Sequence, residues 1–357
     1  MTILTANAPV EDVDVATLLG IPISAEQERA DKAPLKPCAV IAGAGTGKTT
    51  VMAARVVWLV ASRLVSPEEI LGLTFTNKAT AELSERIESN LTRVGLLTSE
   101  QPRPTVATYD SFAGTLVNDY GAWDGISTGA HLITGARAYQ LAAEVVMGLD
   151  KAPLAATHMG PTFIAQAVVT LAGAMASHDA SPGKVRRADA RWRQMLLAAP
   201  TKRGGDRYAD IDKWLSRVDE REELLDLVAA NQNLKKERGL VEFGDRMVQA
   251  LHLVTHHPRV GEELRARYRV VLLDEYQDTS SAQADVLAAL FSGPDSAHGM
   301  GHPVMAVGDP LQAIYEWRGA AASNILEFHR RFPNKEGTPA QVLSLATNRR
   351  CADQIIN

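Results

Sequence analysis

The sequence predicts a mixed α/β protein, a parallel sheet flanked by helices and interrupted by an all-helical insertion. Three observations predict it. From Cys38 onward, short apolar runs alternate with helical stretches, the order that parallel strands joined by helical crossovers require. A glycine-rich turn separates the first run from its helix. Between about Tyr120 and Gly239 the strand signals disappear, amphipathic stretches take over, and apolar runs then resume.

Taken in order, residues 1–20 read as a loose leader, and Cys38–Ala42 (CAVIA) as a buried strand ending in the glycine-rich turn. The helix starting at about Gly47 has the body TTVMAARVVWLVASR, apolar almost all round, which predicts burial against a sheet. Ser66, Pro67, Glu68 and Glu69 form a capping-box signature with proline at the first helical position. LGLTF (71–75) and TNKATAELSERIESN repeat the strand, turn and helix, and Thr105–Tyr109 with SFAGTLVNDY give a third pair. The insertion is carried by ARAYQLAAEVVMGL, KVRRADARWRQMLLAA and DEREELLDLVAANQNLKKER. Strands resume at RVVLLDE (269–275), HPVMAVGD (302–309) and QVLSLAT (341–347). The expected organisation is one α/β domain from residues 1–120 and 240–346, a helical subdomain at 121–239, and the start of a further domain at 347–357.

Composition bounds the function. A chain of 357 residues with 46% hydrophobic and 22% charged residues is globular and long enough for about two domains. A net charge of -5 gives no global basic footprint, so a nucleic-acid partner needs a local positive groove. Cys38 and Cys351 are the only cysteines, which excludes a zinc cluster or a disulfide framework and fits a reducing cytoplasm. The N-terminus carries acids where a signal peptide needs basic residues, and no run of about 18 apolar residues follows, so neither export nor membrane anchoring is expected.

Ala42, Gly43, Ala44, Gly45, Thr46, Gly47, Lys48 and Thr49 read AGAGTGKT, the phosphate-loop pattern with alanine in place of its first glycine. Small residues let successive backbone N–H groups converge on phosphates, Lys48 reaches the β and γ phosphates, Thr49 ligates magnesium, and Thr50 continues the helix start. The expected fold is therefore that of a P-loop NTPase (RecA-like), with ATP and Mg2+ as cofactors. RVVLLDE delivers Asp274 and Glu275 at a strand end, where a magnesium-binding acid and a water-activating base belong.

Around these stand LTFTNKATAEL (73–83), ATYDSF (107–112), LLDEYQDTS (272–280), VGDPLQAIYEWRGA (307–320) and NRRC (348–351). Six blocks in this order resemble the superfamily-1 DNA helicases of the UvrD, Rep, PcrA and RecB type, from about Ser24 to the last residue and most weakly across the insertion. The resemblance implies ATP-driven translocation along single-stranded DNA, 3′ to 5′, and unwinding of duplex DNA in repair or recombination. A helicase-nuclease or repair protein is the further partner it implies. The alternative is a nucleotide-dependent DNA-binding module, or a non-motor subunit of a helicase-nuclease complex.

By position, Gln27 resembles the adenine-reading glutamine, although read alone it is a solvated helix-end residue. Asp274 resembles the magnesium acid, Glu275 the general base, Gln277 a polar relay, Gln312 the γ-phosphate sensor and Arg350 a phosphate-binding arginine. Thr74, Phe75, Thr76, Asn77 and Thr108 resemble the loops that contact DNA, and Tyr315 and Trp317, with Arg318 beside them, the base-stacking segment. Arg55 and the basic run Lys184, Arg186, Arg187, Arg191 and Arg193 are further candidates for phosphate contact, or simply a solvated face.

The chain also departs from the family pattern. Arg349 stands where the family has an adenine-stacking tyrosine, a place a planar guanidinium can also take. Asp110 replaces a histidine and should repel phosphate unless turned inward. GDPLQ is closer to the RecB-like and actinobacterial helicase-nuclease relatives. The family's fifth and sixth motifs are absent, so the sequence resembles the N-terminal part of a helicase and slow hydrolysis is expected of it alone.

Overall fold

The structure, a computed structural model, describes residues 13–127, 129–150, 160–202, 205–316 and 319–350. Helices α1 (Val15–Leu19) and α2 (Ala25–Asp31) precede β1 (Cys38–Ala42) and α3 (Lys48–Ala61). The Ser66 capping box closes only a three-residue 3-10 turn, Pro67–Glu69, because the chain passes straight into β2 (Ile70–Thr74). Helix α4 (Asn77–Arg93), β3 (Thr105–Thr108) and α5 (Tyr109–Tyr120) follow. Next come β4 (His131–Leu132), α6 (Gly135–Met147), α7 (Pro161–Ser177), α8 (Pro182–Leu197), α9 (Ala209–Glu237) and β5 (Leu240–Val241). The remainder comprises α10 (Phe243–His256), α11 (Pro258–Arg267), β6 (Val270–Leu273), α12 (Ser281–Phe291), β7 (Val304–Gly308), α13 (Ser323–Arg331) and β8 (Gln341–Leu345).

Six strands form one sheet in the order β3-β2-β6-β7-β1-β8, and every pairing is parallel. Strands in a sheet covered on both faces need apolar residues at every position, not alternate ones. Leu71, Leu73, Leu272 and Leu273 are accordingly all buried, at about 1.5–3 kcal/mol each. Helix α3 is buried along Val51–Val57, as its unbroken apolar pattern predicts. Its one charged interior residue, Arg55, does not face the phosphate loop. It donates to the backbone carbonyls of Asp31, Ala33 and Pro34, stapling the α2–β1 connection, so its guanidinium is spent inside the fold and Arg55 drops out as a phosphate-contact candidate.

The chain divides into two compact units, residues 1–120 with 250–357, and residues 121–249. In the second unit α6, α7 and α9 bury Ala142, Ile164, Ala165, Val168, Leu225 and Val228. This unit ends ten residues later than the sequence suggests. Leu240 and Val241, read as part of the returning α/β domain, pair with β4, and Lys235 bridges to Glu242 and Asp245 at 2.7 and 2.6 Å. The basic run of α8 is largely neutralised within the unit. Lys184 pairs with Asp179, Arg186 with Glu222 and Asp226, and Arg193 with Asp219, while Arg187 and Arg191 stay exposed. Among the described residues no helix is long and apolar enough to cross a membrane.

Candidate active site

Because all six strands run the same way, their C-terminal ends share one edge. Ile41 pairs with Gly308, Ala42 with Leu345, Leu73 with Leu273 and Thr74 with Thr108. The segments leaving β1, β2, β3, β6, β7 and β8 therefore emerge side by side, where open α/β sheets bind ligands.

The phosphate loop leaves β1 and enters α3. Gly45 (φ +75°) and Gly47 (φ +90°) take left-handed conformations that side chains disfavour. A Cβ on Gly47 would lie 2.8 Å from Gln27 Nε2. Gln27 is therefore not a solvated residue. It is buried, closes the Ser24 capping box, and donates from Nε2 to the Thr46 carbonyl at 3.1 Å, fixing α2 against the loop. Thr49 is the second residue of α3, and Thr50 Oγ1 accepts from Arg86 at 3.3 Å.

Lys48 Nζ lies 3.1 Å from Glu275 Oε2, an ion pair linking the ends of β1 and β6, yet its ammonium is buried with no aligned hydrogen-bond acceptor. Glu275 takes φ +46°, rare for a residue with a side chain. The turn is held on both sides. Tyr109 donates its hydroxyl to the Asp274 carbonyl at 2.8 Å, and the buried Tyr276 ring packs edge-on to Phe328. Burial, and then the Glu275 charge, push the Asp274 carboxyl up to about 7, against a smaller pull from Lys48.

Gln277 bridges strand ends. It donates from Nε2 to Glu275 Oε2 at 2.8 Å and to Asp278 Oδ2 at 3.2 Å, and accepts the Asp309 N–H through Oε1 at 3.1 Å. Gln312 donates to Asp309 Oδ2 at 2.5 Å. Gln312 thus reaches Glu275 through Asp309 and Gln277. Sequence reasoning missed Asp309, although an acid directly after an apolar strand, as at Asp274, was the available signal.

Residues 347–350, expected to start a further domain, lie against the phosphate loop. Asn348 Nδ2 donates to the Ala44 carbonyl and Arg349 N to the Gly45 carbonyl, while the Arg349 guanidinium donates to the Pro22 carbonyl beside α2. Arg350 is exposed, its N–H donating to Asn348 Oδ1. Residues 351–357 lie outside the described residues.

The expected DNA-contacting residues divide. Phe75, leaving β2, and Tyr315, after β7, bring their rings to 4.6 Å. Thr76 and Asn77 are exposed at the N-terminus of α4, where the Thr76 hydroxyl caps Ala79 N. The Thr108 hydroxyl caps Ser111 N on α5. Thr74 departs from expectation: it is fully buried, its hydroxyl shared with Thr80 Oγ1 at 2.6 Å, so it shapes the loop from within. Trp317 and Arg318 lie outside the described residues. Asp110 is turned inward, accepting from Gln283 Nε2 at 2.9 Å. Among the described residues, no three His, Cys, Asp or Glu side chains are grouped to hold a metal by themselves.

Residues 23–333 match the UvrD/REP helicase N-terminal domain family. The chain belongs to this family. Its relatives include DNA helicase II of Rickettsia typhi, 26% identical over 87% of this chain and 40% of that protein. The ATP-dependent DNA helicase UvrD1 of Mycobacterium tuberculosis is 30% identical over 84% of this chain and 34% of its own length. PcrA of Bacillus subtilis is 27% identical over 92% and 38%. The chain spans about two fifths of the length of these UvrD/REP relatives. The family match covers the phosphate loop, Asp274–Gln277 and Gln312, and stops before the 346–350 segment.

Proposed function

We propose that this chain is the ATP-binding part of a DNA helicase that hydrolyses ATP to move 3′ to 5′ along single-stranded DNA and unwind duplex. In this reading residues 1–120 with 250–346 are the first motor domain and residues 121–249 its helical subdomain. The observation that carries it is Lys48, a buried ammonium at the head of a glycine-cradled loop, ion-paired with Glu275 at 3.1 Å yet without an aligned hydrogen-bond acceptor. A triphosphate supplies the acceptors that ammonium lacks, and a phosphate loop offers backbone N–H groups to its oxygens.

The residues present also fit magnesium. The Thr49 hydroxyl and the Asp274 carboxylate would hold it, leaving the rest of its octahedron to phosphate and water. Bound there, it would neutralise charge developing on the transferred phosphoryl group.

Glu275 then acts as the general base. Phosphates that draw Lys48 away release the Glu275 carboxylate from its ion pair, and Gln277, bonded to Oε2, keeps it aimed. Gln312 reports the nucleotide to the segment that carries Tyr315, and the tilted Phe75–Tyr315 ring pair offers π-faces to bases of any sequence. The N-termini of α4 and α5 present N–H groups to the DNA backbone. Thr74 supports this surface from inside, and Gln27 with Arg349 flanks the adenine position.

The test is single-turnover phosphate release with the chain in excess over ATP, comparing Glu275→Gln with wild type. The amide cannot take a proton from water, so the rate should fall at least about a hundredfold while nucleotide affinity holds. A rate within about tenfold of wild type would place the base elsewhere.

A further inference from the structure

The segment after β8 is fastened at both ends of the nucleotide site. Glu26 Oε2, on the first turn of α2, accepts the N–H groups of Ala346 at 3.0 Å and Thr347 at 3.4 Å. Two residues on, Asn348 Nδ2 donates to the Ala44 carbonyl at 3.0 Å and Arg349 N to the Gly45 carbonyl at 2.9 Å. Asn348 Oδ1 accepts Arg350 N at 2.8 Å, and Arg349 reaches the Pro22 carbonyl at 2.9 Å. The packing is close. A Cβ on Gly45 would fall 2.7 Å from Asn348 Oδ1 and 2.8 Å from Arg350 Cβ, so Gly45 serves this contact as well as its own positive φ.

Geometry gives the contact a consequence. A phosphate loop binds anions with its N–H groups, so its carbonyls must turn to the other side. Here two of those carbonyls, Ala44 and Gly45, are occupied by donors from 348 and 349. We propose that Glu26 and Asn348 are positioning residues that brace the 346–350 segment against the carbonyl side of the phosphate loop. The brace holds the loop in its anion-binding form and links nucleotide occupancy to the hydrogen bonding of the 346–350 segment. This rests on the nucleotide reading above. Linkage is reciprocal: if the brace raises affinity for nucleotide, nucleotide must tighten the brace.

Two measurements on the 357-residue chain test it. The first is titration with a fluorescent N-methylanthraniloyl ATP in magnesium, for wild type, Glu26→Ala, Glu26→Gln and Asn348→Ala. Glu26→Gln keeps a carbonyl oxygen able to accept both N–H groups and should stay within about twofold of wild type, whereas the two alanine variants should weaken binding at least fivefold, near the lower bound of about fivefold for such couplings. A role of Glu26 as a mere helix-start charge predicts the reverse, with glutamine as harmful as alanine. The second is amide hydrogen exchange at Ala346, Thr347 and Arg349, which should slow on adding nucleotide to wild type and not to Glu26→Ala. Both side chains are only partly buried, and thermal melts confirm that each variant is folded. Wild-type binding with all three variants at equal affinity overturns the brace and leaves the phosphate-loop reading standing. No saturable binding by wild type overturns both.

Discussion

In residues 121–249, several charged side chains meet partners of opposite sign in full hydrogen bonds, whereas in the other unit several buried polar atoms lack a hydrogen-bond partner. Arg221 forks onto Asp189 at 2.6 and 2.8 Å, and Lys235 sits between Glu242 and Asp245. In the α/β unit, both oxygens of Asp31, the Lys48 ammonium and the Tyr276 hydroxyl are buried without a hydrogen-bond partner. An unsatisfied buried polar group costs about 1–3 kcal/mol, so a fold retains one only where packing forces it or a ligand will complete it. In residues 121–249 Asn231 Oδ1 is such an atom too, and Asp31 lies by the α2–β1 connection, so Lys48 is the case at the strand edge that a ligand can complete.

The sharpest way to break this contrast is Tyr276→Ala. Its ring is fully buried against Phe328 and Phe332 directly after Glu275, and the truncation should cost about 3–5 kcal/mol in urea unfolding. A loss under about 1 kcal/mol would mean that ring packing does not hold the strained turn.

Next in size is a pH effect at Asp31. Burial pushes its carboxyl up to about 8, opposed by Arg55, with Glu28 raising and Lys32 lowering it further. The folded state therefore keeps a proton that the unfolded chain releases near 3.8, so stability falls as pH rises between these values. Asp31→Asn should match wild type near pH 4 and exceed it at pH 8, by about 1–3 kcal/mol. His302 slopes the other way, since burial lowers it to about 4, so stability gained there with rising pH is complete near 6.5. Equal slopes for Asp31→Asn and wild type between pH 6.5 and 8 would remove Asp31 from the account.

Smallest is Arg193→Ala on the exposed face of α8. Its pairing with Asp219 is solvent-exposed, and such pairs contribute little. The thermal midpoint should not move measurably. A clear drop would show that the neutralised face of the helical unit carries stability after all.

Much of this was legible in the sequence, and the illegible parts share a cause. Strands β1, β2, β6 and β7 announce themselves because strands buried on both faces need unbroken apolar runs, and the phosphate loop because its backbone demands glycine and lysine at fixed spacing. Helix α7 falls within the expected helical insertion without standing out by its own pattern, since PTFIAQAVVTLAGAMAS is apolar with little periodicity. The basic run of α8 leaves phosphate contact and a solvated face both open in the sequence, because its partners Asp219, Glu222 and Asp226 lie on another helix. Gln27 read alone as solvated, and Glu26 did not read at all, because Thr46 and Ala346 are brought to them only by the sheet. Thr74 was placed on the DNA surface by its block, yet its burial depends on Thr80 one helical turn into α4. Pattern reveals what local backbone chemistry requires, and long-range hydrogen bonds leave no mark in it.

The central claim is that the Lys48 ammonium, ion-paired with Glu275 but without an aligned hydrogen-bond acceptor, awaits nucleotide phosphates. Its most direct test is a titration of wild type and Lys48→Ala with fluorescent ATP in magnesium. Removing the ammonium should weaken binding at least about a hundredfold, or roughly 2.8 kcal/mol. Equal affinity of the two proteins would contradict the claim.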